Sequence, residues 1–339
     1  MSPTVVVTGA SAGVGRATAV GFARRGYDVA LVARGEAGLA AAADDVKAAG
    51  SRALVAPADV SRYEEVERAA RRVVDELGPV DVWVNNAMTT VFAPVGAVSP
   101  EDFRRAVEVT FLGQVWGTMA ALELMRGRGR GTIVNVGSAL AFIGIPLQAP
   151  YCAAKFACRG FFESVRAELL HEGSDVRMSM VHLPAVNTPQ FGWCKTVFTR
   201  HPQPVAPIYE PEVCARAIVE TALDGRRERV VGSWNRLLVW GARAVPAVGN
   251  HFAAMGAWDE QLSDIPIDPD RPANLCDPVD EACDHGAHGV FDHQARGVMT
   301  PSFLRTLPKA ARNLVRATGA AAHERSATRA RAHVEKGAS

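Results

Sequence analysis

The chain has 339 residues, 48% hydrophobic and 22% charged, with a formal net charge of +1. That content can bury a substantial core and excludes disorder throughout. The near-neutral charge gives no reason to expect nucleic acid as a partner and leaves a small molecule as the default ligand.

The amino terminus runs straight into a strand pattern, Thr4 to Thr8, with no charged region followed by an apolar one, so no secretory signal and a cytoplasmic location are expected. Gly9-Ala-Ser-Ala-Gly13-Val-Gly15 follows, then an apolar helix pattern from Val14 to Arg25. Glycines let backbone amides at a helix start approach a pyrophosphate, and the helix dipole favours an anion there. Asp28 to Ala33 predicts a second strand and Glu36 to Ala49 a second helix closed by Gly50, completing a βαβ unit.

Ala53 to Ala56 predicts a third strand, followed by Asp59-Val60. Ser61-x-x-Glu64 reads as a capping box opening a helix to about Leu77. Val80 to Val84 predicts a fourth strand ending in Asn85-Asn86-Ala87. Ser99-x-x-Asp102 caps a helix running through Phe103, Val107, Phe111 and Val115 to about Met125.

The apolar run Thr132 to Val136 places Ser138, after Gly137, at the carboxyl end of a buried strand. Tyr151 to Leu170 predicts a long helix, Val176 to Leu183 a sixth strand, Glu210 to Leu223 a helix, and the region of Arg229 to Gly232 a seventh strand. Strands alternating with helices predict an α/β fold, a doubly wound, mainly parallel seven-stranded sheet flanked by helices.

Proline-rich Pro184 to Tyr209 has no clean period and reads as a mobile lid loop. Leu237 to Met255 is apolar, but Arg243, Pro246, Asn250 and His251 interrupt it, so it reads as a helix over a pocket and not as a membrane span. Residues 1–256 are therefore expected to form one domain. The remainder, 257–339, is expected to be an acidic extended arm and then, from Lys309, a basic solvated tail carrying Arg325, Arg329 and Arg331.

Six cysteines, Cys152, Cys158, Cys194, Cys214, Cys276 and Cys283, make no C-x-x-C pair and read as those of a reducing compartment. Asp280, Asp284, His285, His288, Asp292 and His293 offer metal-ligand types, but their spacing matches no standard zinc pattern and they read as an exposed acidic arm with no metal.

The chemistry is expected between Ser138 and Lys155. Tyr151 and Lys155 lie four apart, hence on one helix face. A phenol has an ordinary pKa of about 10; an adjacent ammonium favours phenolate and makes the phenol a usable general acid or base.

The ordered set Thr8-Gly9-x-x-x-Gly13-x-Gly15, Asp59-Val60, Asn85-Asn86-Ala87, Ser138, Tyr151-x-x-x-Lys155 and Pro184-x-x-x-Thr188 resembles the short-chain dehydrogenase/reductase family over roughly Thr4 to Met255. The resemblance implies a Rossmann-type domain and metal-free hydride transfer between a nicotinamide and a carbonyl or alcohol carbon. Tyr151 would exchange the proton, Ser138 would hydrogen-bond the substrate oxygen, and Lys155 would hold the ribose while lowering the Tyr151 pKa. Thr8, Gly9, Ser11, Ala12, Gly13, Val14, Gly15, Asp59, Val60, Asn86, Ala87, Pro184, Val186 and Thr188 would line the cofactor. The chain departs from the family where Thr110 stands for a catalytic asparagine, Met88 for a glycine after Asn-Asn-Ala, and Ala185 for a glycine after Pro184.

Ala33 leaves the second strand without a terminal carboxylate and Arg34 follows, so NADP(H) is expected over NAD(H). A redox sensor without turnover, or a nucleotide-sugar epimerase or dehydratase, are the competing readings; the Ser-Tyr-Lys set and the glycine spacing favour the reductase. Phe191, Trp193, Phe198, Trp240, Val245 and Phe252 are expected either to wall a pocket for a bulky apolar ketone or secondary alcohol or simply to pack the lid onto the domain. Helices carrying Phe111 and Phe161 are expected to pair in a homodimer. No nucleic-acid partner and no stable membrane insertion are expected.

Overall fold

The computed structural model describes residues 2–244, 257–295 and 297. In chain order the elements are β1 (Thr4–Thr8), α1 (Gly13–Ala23), β2 (Asp28–Ala33), α2 (Glu36–Ala48), β3 (Ala53–Pro57), α3 (Tyr63–Leu77), β4 (Val80–Asn85) and β5 (Val91–Phe92). Then come α4 (Pro100–Val107), a π-helical turn (Glu108–Leu112), α5 (Gly113–Arg126), β6 (Gly131–Ser138), α6 (Ala149–His171) and β7 (Val176–Leu183). The last part holds β8 (Ala185–Val186), α7 (Gln190–Trp193), β9 (Lys195–Thr196), β10 (Arg200–Pro202), β11 (Ile208–Tyr209), α8 (Pro211–Asp224), β12 (Glu228–Val230), α9 (Ser233–Ala244) and β13 (Leu262–Pro266).

Seven strands form one sheet in the order β12-β7-β6-β4-β1-β2-β3, and every pairing in it is parallel. The two-residue period of a strand sorts its side chains into two cores. Val5, Val7, Val29, Leu31, Val134 and Val136 pack on one face, with Phe22 of α1, Leu39 of α2 and Ile218 of α8. Val6, Val32, Trp83, Ile133 and Met178 pack on the other, with Val73 of α3, Met125 of α5 and Phe162 of α6. The strand order reverses between β1 and β4, which opens a crevice at their carboxyl ends.

Three expectations are corrected. Ser61 does not cap α3: the helix starts at Tyr63, and the Ser61 hydroxyl donates instead to Asp59 (2.8 Å), whose N–H is met by the Glu65 carboxylate (2.8 Å). The Ser99 cap holds, accepting from the Asp102 N–H at 3.1 Å, but the helix it opens is broken by the π turn that carries Thr110. The lid is not structureless: β5 pairs with β9, β8 with β11, and β10 with β13 of the arm.

The arm beyond residue 257 belongs to the same compact unit as the sheet. No described helix is long and apolar enough to cross a membrane. Helix α9 starts at Ser233, before the expected Leu237, and Trp240 on it is 70% exposed. Val245, Phe252 and the basic tail lie outside the described residues.

Candidate active site

The glycine turn is shaped by contacts that tolerate no side chain. Gly9 has φ +66°, and a Cβ at Gly15 would overlap the Gly9 carbonyl oxygen. The Thr8 hydroxyl accepts from the N–H groups of Asn86 (2.9 Å) and Ala87 (3.1 Å), and Asn86 Nδ2 donates to the Thr8 carbonyl (3.0 Å). These bonds lock the ends of β1 and β4 together, with the α1 amino terminus beside them.

Ser138, at the end of β6, hydrogen-bonds the Tyr151 phenol. Its hydroxyl also accepts from the Leu140 N–H at 3.1 Å. The Lys155 ammonium is buried, donates to the Val136 carbonyl (2.8 Å) and lies 5.6 Å from the centre of the Tyr151 ring. The three side chains expected to act together therefore share one end of the sheet.

The expected depression of the Tyr151 pKa is corrected. Burial pushes the phenol well above its ordinary value, and the Ser138 hydrogen bond only partly opposes this. The ammonium pairs with a backbone carbonyl, and burial pulls its own pKa down.

Thr110 is fully buried on the π turn. Its hydroxyl donates to the Thr89 carbonyl (2.8 Å) and accepts from the Thr89 N–H (3.0 Å), so it is committed to the loop after β4 and not to Tyr151 or Lys155. Its carbonyl faces the Cys158 thiol of α6 at 3.4 Å.

Asp59 sits in a cluster that the sequence did not reveal. Its carboxylate takes Arg105 (2.6 Å) and Ser61, and these bonds outweigh burial to hold its pKa below the ordinary range. Burial, and then the neighbouring Arg105, pull the Arg34 pKa down. Asp59 and Asp280 partly offset that repulsion, and Ser11, the glycine turn and Arg34 form a donor set that fits a phosphate-bearing dinucleotide. Val60 is buried against Gly113.

Ala185 and Val186 pair beside β11. The Thr188 methyl packs against Gly13. Asn187, which the sequence reading missed, is buried and bonds Glu210 (3.2 Å), Asp292 (2.5 Å) and the Phe291 N–H (3.0 Å).

Phe191 packs on Phe92 and Phe291, and Phe198 joins the cluster with Leu147 and Leu262, so these two fasten the lid. Trp193 faces His285 and lines a cavity of about 500 Å³ with Thr188, His201 and Val290. Of the acidic-arm residues weighed for metal binding, His288 and Asp292 come together, joined by Glu210, in a partly exposed group. Phe111 and Phe161 meet edge to face within the chain, 6.3 Å apart.

The sequence model of the short chain dehydrogenase family matches residues 3–193. The chain is 33% identical over 275 residues to an uncharacterised oxidoreductase, YxnA, of Bacillus subtilis, covering 80% of this chain and 77% of that one. It is 32% identical over 231 residues to 17-beta-hydroxysteroid dehydrogenase 13 of Homo sapiens, covering 68% and 75%. A solved structure of an alcohol dehydrogenase from the archaeon Thermococcus sibiricus, complexed with 5-hydroxy-NADP, superposes with a TM-score of 0.59 at 29% identity, covering 68% of this chain and 96% of that one. With the ordered motifs, the parallel sheet and these likenesses together, the chain belongs to the short-chain dehydrogenase/reductase family of oxidoreductases.

Proposed function

We propose that the protein is a cytoplasmic NADP(H)-dependent oxidoreductase that moves a hydride between the nicotinamide and a carbonyl or alcohol carbon of a bulky, largely apolar ketone or secondary alcohol. The observation that carries the reading is the Ser138–Tyr151–Lys155 cluster at the same carboxyl edge of the sheet as the glycine turn.

The chemistry a bound nicotinamide supplies there is acceptance or donation of hydride. Tyr151 holds the proton that the substrate oxygen gains or loses, and its raised pKa keeps that proton in place at neutral pH. Ser138 fixes the phenol and offers its hydroxyl to the same oxygen. An ammonium has three N–H donors and Val136 takes one from Lys155, which leaves donors to orient a ribose hydroxyl.

Ala33, Arg34 and Ser11 support the NADP(H) preference, since a guanidinium matches a 2′-phosphate and the second strand ends in alanine where a carboxylate would oppose it. Trp193 on the cavity wall, together with the likeness to a steroid dehydrogenase, supports a ring-sized apolar substrate. Apolar Met119 on α5, and Phe156 and Leu170 on α6, are exposed and support a homodimer through these helices, which light scattering at micromolar concentration checks.

The deciding experiment offers cyclic, long-chain and short polar ketones to the purified chain with NADPH and NADH side by side. Turnover of cyclic ketones with NADPH is expected; no turnover of any ketone with either cofactor would refute the reading.

A further inference from the structure

The arm from Asn274 to Phe291 crosses the carboxyl edge of the sheet and engages the donors assigned above to a dinucleotide. Arg34 donates to the Asn274 carbonyl (3.0 Å), the Asn274 side-chain oxygen (2.8 Å) and the carbonyls of Leu275 and Cys276. Helix α2 has Gly35 as its N-cap residue, which offers no side-chain cap, and the arm supplies one. The N–H groups of Ala37 and Gly38 donate to the carbonyls of Glu281 (3.3 Å) and Asp280 (3.1 Å), and that of Glu36 to the Glu281 carboxylate (3.4 Å).

At the start of α1, the Gly13 N–H donates to the Gly286 carbonyl (3.2 Å) and Arg16 pairs with Asp284. Asp280 is 4% exposed and its side chain fills a slot at Gly35 and Gly38, where a Cβ on either glycine would overlap its carboxylate. The ends are anchored. Leu275 is buried with Val91, Ala93 and Ala106, and Phe291 is buried against Phe191 and His201.

Every group the arm offers to these donors is an oxygen carrying full or partial negative charge, which is what phosphates would offer. A backbone N–H has one hydrogen to give, so the Gly13 amide cannot serve the arm and a pyrophosphate together.

We propose that the arm is an autoinhibitory strap: docked, it occupies the phosphate-binding donors of the dinucleotide groove through Asn274–Cys276, Asp280, Glu281 and Gly286, and it has to leave before the cofactor enters. This rests on the proposed dinucleotide-binding function. The apparent affinity for the cofactor is then divided by the fraction of chains with the arm undocked.

The test is direct binding to the full chain, wild type and Asp280→Ala/Asp284→Ala, titrated with NADPH and with adenosine 2′,5′-bisphosphate, which carries only the adenosine end. The variant is expected to bind both about tenfold more tightly. Hydrogen exchange on the wild type gives a second readout, independent of how the variant folds: NADPH should speed exchange of amides 274–291. Unchanged or weaker binding by a folded variant, or slower exchange of the arm when NADPH binds, would overturn the strap while leaving the dinucleotide reading intact. Failure of both forms to bind NADPH at all would remove the dinucleotide reading and the strap with it.

Discussion

Replacing Thr110 by valine separates two roles for the residue that stands where the family's asparagine is expected. Valine matches threonine in shape, so no cavity opens, but the Thr89 N–H and carbonyl lose the hydroxyl that serves both. Thr110 is 0% and Thr89 6% exposed, so water does not replace it. A buried backbone group left unpaired costs about 1–3 kcal/mol; with both on one residue that can relax, the loss should be about 2–4 kcal/mol. That corresponds to a Tm lower by roughly 5–10 °C. Thr110→Ser, which keeps the hydroxyl, should recover most of it. Turnover should fall less than about tenfold, because the hydroxyl touches no reacting group and acts only by holding the turn against α6. Thermal unfolding and kcat measured on the three proteins decide the matter. If Thr110→Val melts with the wild type yet loses turnover by about 10²-fold or more, the hydroxyl works in proton transfer and the positional reading is wrong.

Ala33→Asp with Arg34→Ala should shift the ratio of kcat/KM for NADPH over NADH toward NADH, and an unchanged ratio would show that the 2′-phosphate is held elsewhere. The raised Tyr151 pKa, caused first by burial with the Ser138 hydrogen bond opposing it, fixes the sign of the pH dependence. Ketone reduction, which uses the protonated phenol, should stay flat from about pH 6 to about pH 9, while alcohol oxidation, which uses phenolate, should rise about tenfold per pH unit over that range; an oxidation rate already level at neutrality would contradict it. In the lid, Trp193→Ala should alter the ranking of large over small ketones with little change in stability. Phe191→Ala should instead cost about 2–3 kcal/mol in unfolding experiments, because its ring is partly buried between Phe92 and Phe291.

The sheet was legible because each central strand is a short β-branched run, and the i, i+4 spacing of Tyr151 and Lys155 was enough to place both on one helix face. The Ser99 cap was legible because nothing competes for its hydroxyl, whereas Ser61 is drawn to Asp59 by a carboxylate that Arg105 holds from 46 residues away. The π turn at Thr110 adds a local widening that leaves the apolar spacing of the helix nearly unchanged, so no pattern announces it. The lid's ladders are two or three residues long, too short for a period to show. Composition alone assigned the acidic arm to solvent. Its partners Arg16 and Arg34 lie 268 and 241 residues from their arm contacts, and only the fold brings them together. Burial of the phenol is likewise a tertiary property, which is why the adjacent lysine suggested the wrong direction for its pKa.

The central claim is that Tyr151 carries the proton of the redox step. Tyr151→Phe removes the phenolic oxygen and leaves the ring, and the most direct measurement is kcat for a cyclic ketone together with the Kd for NADPH by fluorescence titration. The account predicts a loss of turnover of about 10²–10⁴-fold, with the NADPH Kd within about twofold of the wild type because the ring and Lys155 remain. Retention of most of the turnover by Tyr151→Phe would contradict it and assign the proton to another group.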